Sequence, residues 1–150
     1  MVVIEDVYRH SDLPESIRSY ARDTLTLGWE DRARAHGRRT SDGGVEFGTS
    51  LPRGTTLRGG DAFVLEEQRL VVTIVERPEP VFVIRPRTPE EWALYAYQIG
   101  NRHQPLMITG DGLVCPDVPG VEQLLEQHHM PYVRDTRPFT PAVAAAGHAH

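Results

Sequence analysis

The stretch "ERPEPVFVIRPRTPEEWALYAYQIGNRH", residues 76–103, predicts a strand, a complete helix and the corner that follows it. Two prolines interrupt the preceding sequence, and the apolar run at 81–84 then starts a new strand. Thr88 can cap the free amides of a helix, Pro89 suits its first position, and Glu91 completes a capping box. The residues that follow recur at helical spacing and predict one buried face: Trp92, Tyr95, Ala96 and Ile99. Gly100 is placed to end this helix.

The sequence after this helix completes a repeated pattern of strands and helices. "PLMI" at 105–108 and "GLVC" at 112–115 predict two short strands around a glycine-rich turn. A second helix is expected from about Asp117, with His128 near its end, and "PYVRDTRPF" at 131–139 predicts a last strand. The order strand, helix, strand, strand, helix, strand is that of ferredoxin-like domains. We therefore predict a ferredoxin-like βαββαβ domain over 78–139 and a flexible, histidine-bearing tail over 140–150.

The first half of the chain, residues 1–77, predicts a small all-β domain, so that the fold class is α+β. Asp42-Gly43 lies between two strand-like segments and is a hairpin signal. The segment 62–76, "AFVLEEQRLVVTIVE", predicts two antiparallel strands joined near Glu67-Gln68. Between Asp23 and Glu76 no helix of convincing length is expected.

Composition and charge exclude several classes of protein. The 150 residues carry a formal net charge of -5, which argues against a general nucleic-acid binder because phosphate contacts need a surplus of positive charge. A single cysteine, Cys115, allows no intramolecular disulfide and fits a reducing compartment. Neither a signal peptide nor an apolar run of the ~18 residues needed to span a membrane is visible. We expect a soluble, cytoplasmic protein that does not bind membranes.

Motifs for catalysis are missing from the sequence. There is no Ser-His-Asp arrangement, no phosphate-binding glycine loop, no HExxH and no pair of spaced cysteines. The adjacent carboxylates at 66–67 and 90–91 belong to a turn and to a helix cap. An enzyme is therefore poorly supported.

His103 stands where the first helix gives way to a strand, and it has two interpretations. It can be a packed histidine whose ring nitrogens are met by backbone or by Asn101. It can also be a metal ligand, since imidazole binds zinc, copper and nickel. One imidazole cannot hold an ion well, but a two-fold dimer brings the same residue of both chains to its axis. Two imidazoles with open coordination positions would suit a protein that must release its metal.

The other histidines and basic residues each allow an ordinary interpretation and a functional one. His148 and His150 can point the same way in an extended tail and share one ion, or can be a terminus without a role. His128-His129 at the end of a helix either interact favourably with its negative C-terminal pole or bind a metal. Cys115 is either a small buried hydrophobe or an accessory ligand. A basic set with a period of two predicts one strand face, either solvated or docking an acidic partner: Arg32, Arg34, His36 and Arg38.

Three stretches resemble the UreE family of urease accessory proteins. "YQIGNRHQPL" at 97–106 resembles that family's signature, "LPRGTTLRGGD" at 51–61 looks like its N-terminal domain, and "RPFTPAVAAAGHAH" at 137–150 is similar to its closing segment. The resemblance implies a nickel metallochaperone that dimerises through its second domain and uses its β-domain to engage partners. It implies that His103 binds nickel at the dimer interface, assisted by His148 and His150.

The resemblance also implies partners and a limited capacity for metal. Nickel would pass to urease in an assembly with the accessory GTPase UreG and other urease maturation proteins. Many family members have a histidine where Gln98 stands, and some have a long histidine-rich tail, so about one tight ion per dimer is expected here. Zinc or copper can share such ligands. The alternative is a metal-independent protein-binding adaptor, in which the stretch around His103 only stabilises the helix–strand corner.

Overall fold

The computed structural model describes residues 1–9 and 12–142. The chain divides into two compact units, Met1–Arg77 and Pro78–His150. None of the helices in the described ranges is long and apolar enough to cross a membrane. The longest helix has only 13 residues.

The first unit contains two three-stranded sheets and very little helix, as the sequence predicts. One sheet has the strand order β1-β4-β3 and the other β2-β6-β5. A short 3-10 helix, Glu15–Ile17, and one turn of α-helix, α1, complete it. The bounds are β1 Val3–Ile4, β2 Ala21–Leu27, α1 Trp29–Arg32, β3 His36–Thr40, β4 Glu46–Ser50, β5 Ala62–Leu65 and β6 Leu70–Glu76.

Two antiparallel hairpins of this unit confirm the expected turns. Strands β3 and β4 pair around the turn at Asp42-Gly43, where Gly44 adopts a φ of 96° that favours glycine. Strands β5 and β6 pair from Leu65 opposite Leu70. Phe47 and Phe63 meet edge to face in the core, with ring centroids 5.6 Å apart.

The predicted basic strand face is wrong at its first two members, because β3 begins only at His36 and Arg34 lies before it. Arg32 ends helix α1 and is fully buried, so it does not share a strand face with His36. The Arg32 guanidinium donates to the carbonyl oxygen of Leu57 at 3.4 Å and lies 3.8 Å from the carboxylate of Glu76. The helical turn breaks the period of two on which the prediction depended.

The second unit has the predicted order of elements and forms one antiparallel sheet. Its strand order is β10-β7-β9-β8, which is the order of a ferredoxin-like domain, with each βαβ half contributing one central and one edge strand. The bounds are β7 Glu79–Ile84, α2 Pro89–Asn101, β8 Met107–Ile108, β9 Leu113–Pro116, α3 Val121–Gln127 and β10 Val133–Arg137. The α+β class and the ferredoxin-like arrangement are confirmed.

The predicted start of α2 is confirmed, whereas that of α3 is later than expected. Thr88 accepts a hydrogen bond from the amide of Glu91 at 3.1 Å, and Pro89 occupies the first helical position. Helix α3 begins at Val121 rather than near Asp117 because Gly120, with a φ of 92°, is its N-cap. Both helices pack on the same apolar cluster: Phe82, Ile84, Ile99, Leu113, Cys115, Val121, Leu124, Leu125 and Met130.

After β10 the chain crosses the sheet from one edge to the other. Phe139 is fully buried, the amide of Thr140 donates to Met107 Sδ at 3.4 Å, and the amide of Ala142 donates to the carbonyl of Leu106 at 2.6 Å. Three strand spacings of about 4.8 Å separate the edges, a distance that a nearly extended segment of this length can span. We call residues 138–142 the C-terminal strap. The remainder of the predicted tail, 143–150, lies outside the described residues.

Candidate functional site

Helix α2 ends in a Schellman motif that places His103 immediately after the helix. The amide of His103 donates to the carbonyl of Gly100 at 2.9 Å, and that of Gln104 donates to the carbonyl of Ile99 at 3.3 Å. These two hydrogen bonds define the motif, with Arg102 as the C-cap and His103 as the first residue beyond it. His103 therefore has a fixed backbone.

The backbone of His103 adopts a φ of 56°, in the left-handed region. This position of a Schellman motif is usually glycine, since a residue with a Cβ atom pays about 1–2 kcal/mol for that conformation. The prediction that Gly100 ends the helix is wrong, because the helix continues to Asn101. A strained histidine in place of glycine indicates that the side chain matters more here than backbone stability.

The side chain of His103 is exposed and does not lie in the core. Its neighbour Arg102 donates to the side-chain oxygen of Gln127 at 3.3 Å, which ties this corner to α3. Leu94 and Tyr97 on α2 are 53% and 63% exposed, an unusual degree for large apolar side chains on the helix that presents His103. The corner thus combines an imidazole with an apolar surface.

The strap delivers the end of the described chain to the same corner. Leu106, which binds Ala142, lies in the connection between His103 and β8. His148 and His150, predicted from the sequence as further ligands, are outside the described residues.

Among residues 1–9 and 12–142 no group of three histidine, cysteine or carboxylate side chains could hold a metal ion. The surroundings of the Cys115 thiol are those of a small buried hydrophobe. Cys115 is fully buried in the apolar cluster, and burial raises the pKa of the thiol to about 12, which keeps it protonated at neutral pH. His103 therefore needs ligands from the tail or from another chain to bind a metal tightly.

A second Schellman motif, which sequence reasoning missed, ends helix α3. The amide of His129 donates to the carbonyl of Glu126 at 3.1 Å, and that of Met130 donates to the carbonyl of Leu125 at 2.9 Å. His129 has a φ of 54° and is exposed, as at His103, whereas Nε2 of His128 is buried without a hydrogen-bond partner in the parts of the chain that are described. The pair His128-His129 in the sequence does not indicate that the second histidine adopts a left-handed backbone conformation.

Comparisons with known proteins agree with the two units. The family model of the UreE urease accessory protein N-terminal domain matches residues 4–76, and that of the C-terminal domain matches residues 79–150. The urease accessory protein UreE of Albidiferax ferrireducens is 34% identical over 134 residues, 85% of this chain and 76% of that protein. The UreE of Thermosynechococcus vestitus is 36% identical, covering 84% and 87%, and that of Rhodopseudomonas palustris is 34% identical, covering 85% and 62%. The chain belongs to the UreE urease accessory protein family.

Proposed function

We propose that this protein is a nickel metallochaperone that binds nickel at a dimer interface and delivers it for assembly of the urease active site. The observation that carries the proposal is the exposed His103, held in a strained left-handed conformation at the end of α2. Membership of a urease accessory family points to the metal of urease as the cargo. Nickel is here a cargo and not a resident cofactor.

A dimer supplies ligands that residues 1–9 and 12–142 of a single chain lack. An isologous two-fold interface places His103 of both chains at the axis, so that two imidazoles face one ion. The apolar side chains of Leu94 and Tyr97 lie one helical turn apart on the helix that ends at His103. Burial of such side chains against a second copy would stabilise the association and explain their exposure in the single chain.

The tail histidines His148 and His150 complete the coordination in this proposal. Their chain leaves the second unit beside Leu106, on the same connection as His103. Because they are borne by a segment separate from the helix corner, they can join and leave the ion without disturbing the fold. Such exchangeable ligands would let nickel pass to an acceptor by stepwise ligand exchange.

The acceptor assembly comprises urease, the GTPase UreG and other urease maturation proteins, in the cytoplasm. The domain over 1–77 serves as the surface that engages partners, the domain over 78–139 as the part that binds metal and dimerises, and 140–150 as the histidine-bearing tail. Neither catalysis nor contact with nucleic acid or membranes belongs to this role. Zinc or copper would compete for the same imidazoles, since their affinities overlap that of nickel.

The test is a calorimetric nickel titration in which the molecular mass is measured at each step by light scattering. We expect a dimer that binds one tight nickel ion per two chains. Nickel bound tightly by a monomer would contradict the shared site. A chain that remains monomeric and binds no nickel would instead favour the alternative of a metal-independent adaptor.

A further inference from the structure

A cavity of about 350 Å³ lies in the second unit at the end of α2 opposite to His103. It is formed by the loop from β7 to α2, by the first turns of α2 and by the connection from α3 to β10. Along α2, the lining residues Glu91 and Tyr95 precede His103 by about 18 Å and about 12 Å, at about 1.5 Å per residue. The cavity is therefore a separate place on the same unit.

Two guanidinium groups line this cavity. Arg85 is half-exposed and lies 3.5 Å from Asp111, a long and solvent-exposed ion pair that is easily replaced. Arg87 forms no ion pair with any described residue. Glu91 also lines the cavity, but its carboxylate already accepts a hydrogen bond from the amide of Arg87 at 2.7 Å, as part of the helix cap. The cavity lining thus carries two guanidinium groups against one carboxylate, that of Glu91, while Asp111 outside the lining pairs with Arg85.

The remaining lining favours an anion that carries an apolar group. The rings of Tyr95 and Tyr132 and the side chains of Pro131 and Val133 form the walls. Tyr132 is held in place because its hydroxyl donates to Glu122 at 2.6 Å and also contacts Glu126 at 3.1 Å. An inorganic ion would use the arginines but leave these walls without a partner.

His129 also lines the cavity. It stands at the strained position of the second Schellman motif, where glycine would be easier to accommodate. Strained residues of this kind concentrate at ligand-binding positions. An imidazole N–H beside two guanidinium groups can donate a further hydrogen bond to an oxyanion. The amino end of α2 contributes additional positive potential.

We propose that this cavity binds a carboxylate attached to a small apolar body, with the carboxylate on Arg85 and Arg87 and the apolar body between Tyr95 and Tyr132. A planar carboxylate matches the paired donors of a guanidinium group. The C-terminal residue of a polypeptide that ends in an apolar side chain has this chemistry, as does a free apolar carboxylic acid. The site is independent of nickel.

The probe for the test is N-acetyl-phenylalanine, added to the metal-free full-length protein and followed by amide chemical shifts. We expect saturable shifts centred on 85–95 and 129–133. N-acetyl-phenylalanine amide, which lacks the charge, should bind at least about tenfold more weakly, as expected when a charge-assisted hydrogen bond is lost. Inorganic phosphate, which lacks the apolar body, should also bind more weakly. Equal binding of the amide or of phosphate would overturn the proposal.

A matched pair of variants separates this site from general electrostatic attraction. Arg85→Gln/Arg87→Gln should reduce the affinity for the probe at least about tenfold, whereas Arg53→Gln/Arg58→Gln in the first unit removes the same charge and should leave it within about twofold of wild type. Equal losses in both variants would mean nonspecific attraction and overturn the proposal. Nickel affinity should be unchanged in both double variants. A failure of the carboxylate site is therefore distinguishable from a failure of the proposed chaperone role.

The source of the carboxylate follows from one further comparison. A short peptide ending in phenylalanine that binds at least about tenfold more tightly than N-acetyl-phenylalanine would identify a polypeptide terminus, because only the peptide gains contacts outside the cavity. Equal affinities would identify a free apolar acid.

Discussion

The two helices of the second unit end in the same backbone motif but present their histidines to different surroundings. His103 after α2 and His129 after α3 both follow a C-cap residue, donate to the carbonyl three residues earlier and adopt a φ near 55°. Both side chains are exposed. The backbone alone therefore gives each histidine the same presentation and the same strain.

The residues around His103 and those around His129 differ in charge and in the segments of the chain to which they belong. His129 shares a cavity with Arg85 and Arg87, whose positive charge opposes a metal ion and attracts an oxyanion. His103 follows Arg102, whose guanidinium donates to Gln127, and lies beside the anchoring point of the strap at Leu106, on a helix with an exposed apolar surface. We infer that the strained helix terminus presents the side chain, while the charges around it select the class of ligand. On this basis we expect a cation at His103 and an anion at His129.

The sharpest way to break this comparison is to replace each histidine by alanine and titrate with nickel. His103→Ala should lose the tight site, a decrease in affinity of more than about a hundredfold, since even residues that only support a ligand contribute about 10–100-fold. His129→Ala is the matched control, with the same motif and exposure, and should leave nickel affinity within about twofold. Equal losses in both variants, or none in His103→Ala, would contradict the assignment.

Removal of residues 144–150 should have the next largest effect. The truncated chain lacks His148 and His150 but keeps His103 and the strap, so nickel affinity should fall by about tenfold, within the range expected for loss of supporting ligands. Stoichiometry should stay at one ion per dimer in the same calorimetric experiment. Complete loss of binding would show that the tail, and not His103, is the primary site.

Phe139→Ala should weaken nickel binding by a few-fold, and only in the chain that has its tail. Phe139 is fully buried and fixes the strap that brings the tail to Leu106, so its loss lets the tail histidines sample a larger volume. The same substitution in the chain truncated after residue 143 is the control and should leave nickel affinity unchanged. Equal effects with and without the tail would mean that Phe139 acts through folding alone.

Local signals in the sequence were sufficient for the architecture of the second unit. The cap at Thr88, the helical spacing from Trp92 to Ile99 and the turn before Leu113 each depend on residues close in the chain, and each is confirmed. The order of strands in the sheet then follows from the few ways in which a split βαβ pattern can pack.

Features that depend on tertiary contacts were not visible in the sequence. Gly100 looked like the end of α2 because glycine usually occupies the left-handed position, yet the helix continues to Asn101 and His103 takes that position. The period of two made Arg32 look like a strand residue. Its burial depends on contacts with Leu57 and Glu76, which are distant in the sequence. Phe139 stands only just before the predicted tail, and nothing local reveals that the strap beyond it returns to Leu106.

Glycine substitutions test the part of the comparison in which the two histidines should be alike. At a φ near 55°, glycine relieves backbone strain of about 1–2 kcal/mol in the folded protein. It also stabilises the unfolded chain through extra conformational entropy, by about 0.4–1 kcal/mol, which is the smaller of the two effects. His103→Gly and His129→Gly should therefore each raise the free energy of unfolding by about 0.5–1 kcal/mol, whereas the alanine variants keep the strained backbone.

The measurement is urea unfolding of metal-free protein in a Trp29→Phe background, at one fixed protein concentration because a dimer is expected. Fluorescence then reports on Trp92 in α2 and so on the second unit. If the glycine variants have a lower free energy of unfolding than the alanine variants at both positions, the left-handed backbone carries no strain. Histidine at these positions would then not destabilise the fold. If glycine stabilises both while only the substitution at 103 abolishes nickel binding, the two termini share their strain and differ in their ligands. That outcome would show that the Schellman motif determines the backbone strain, while the surrounding residues determine which ligand is bound.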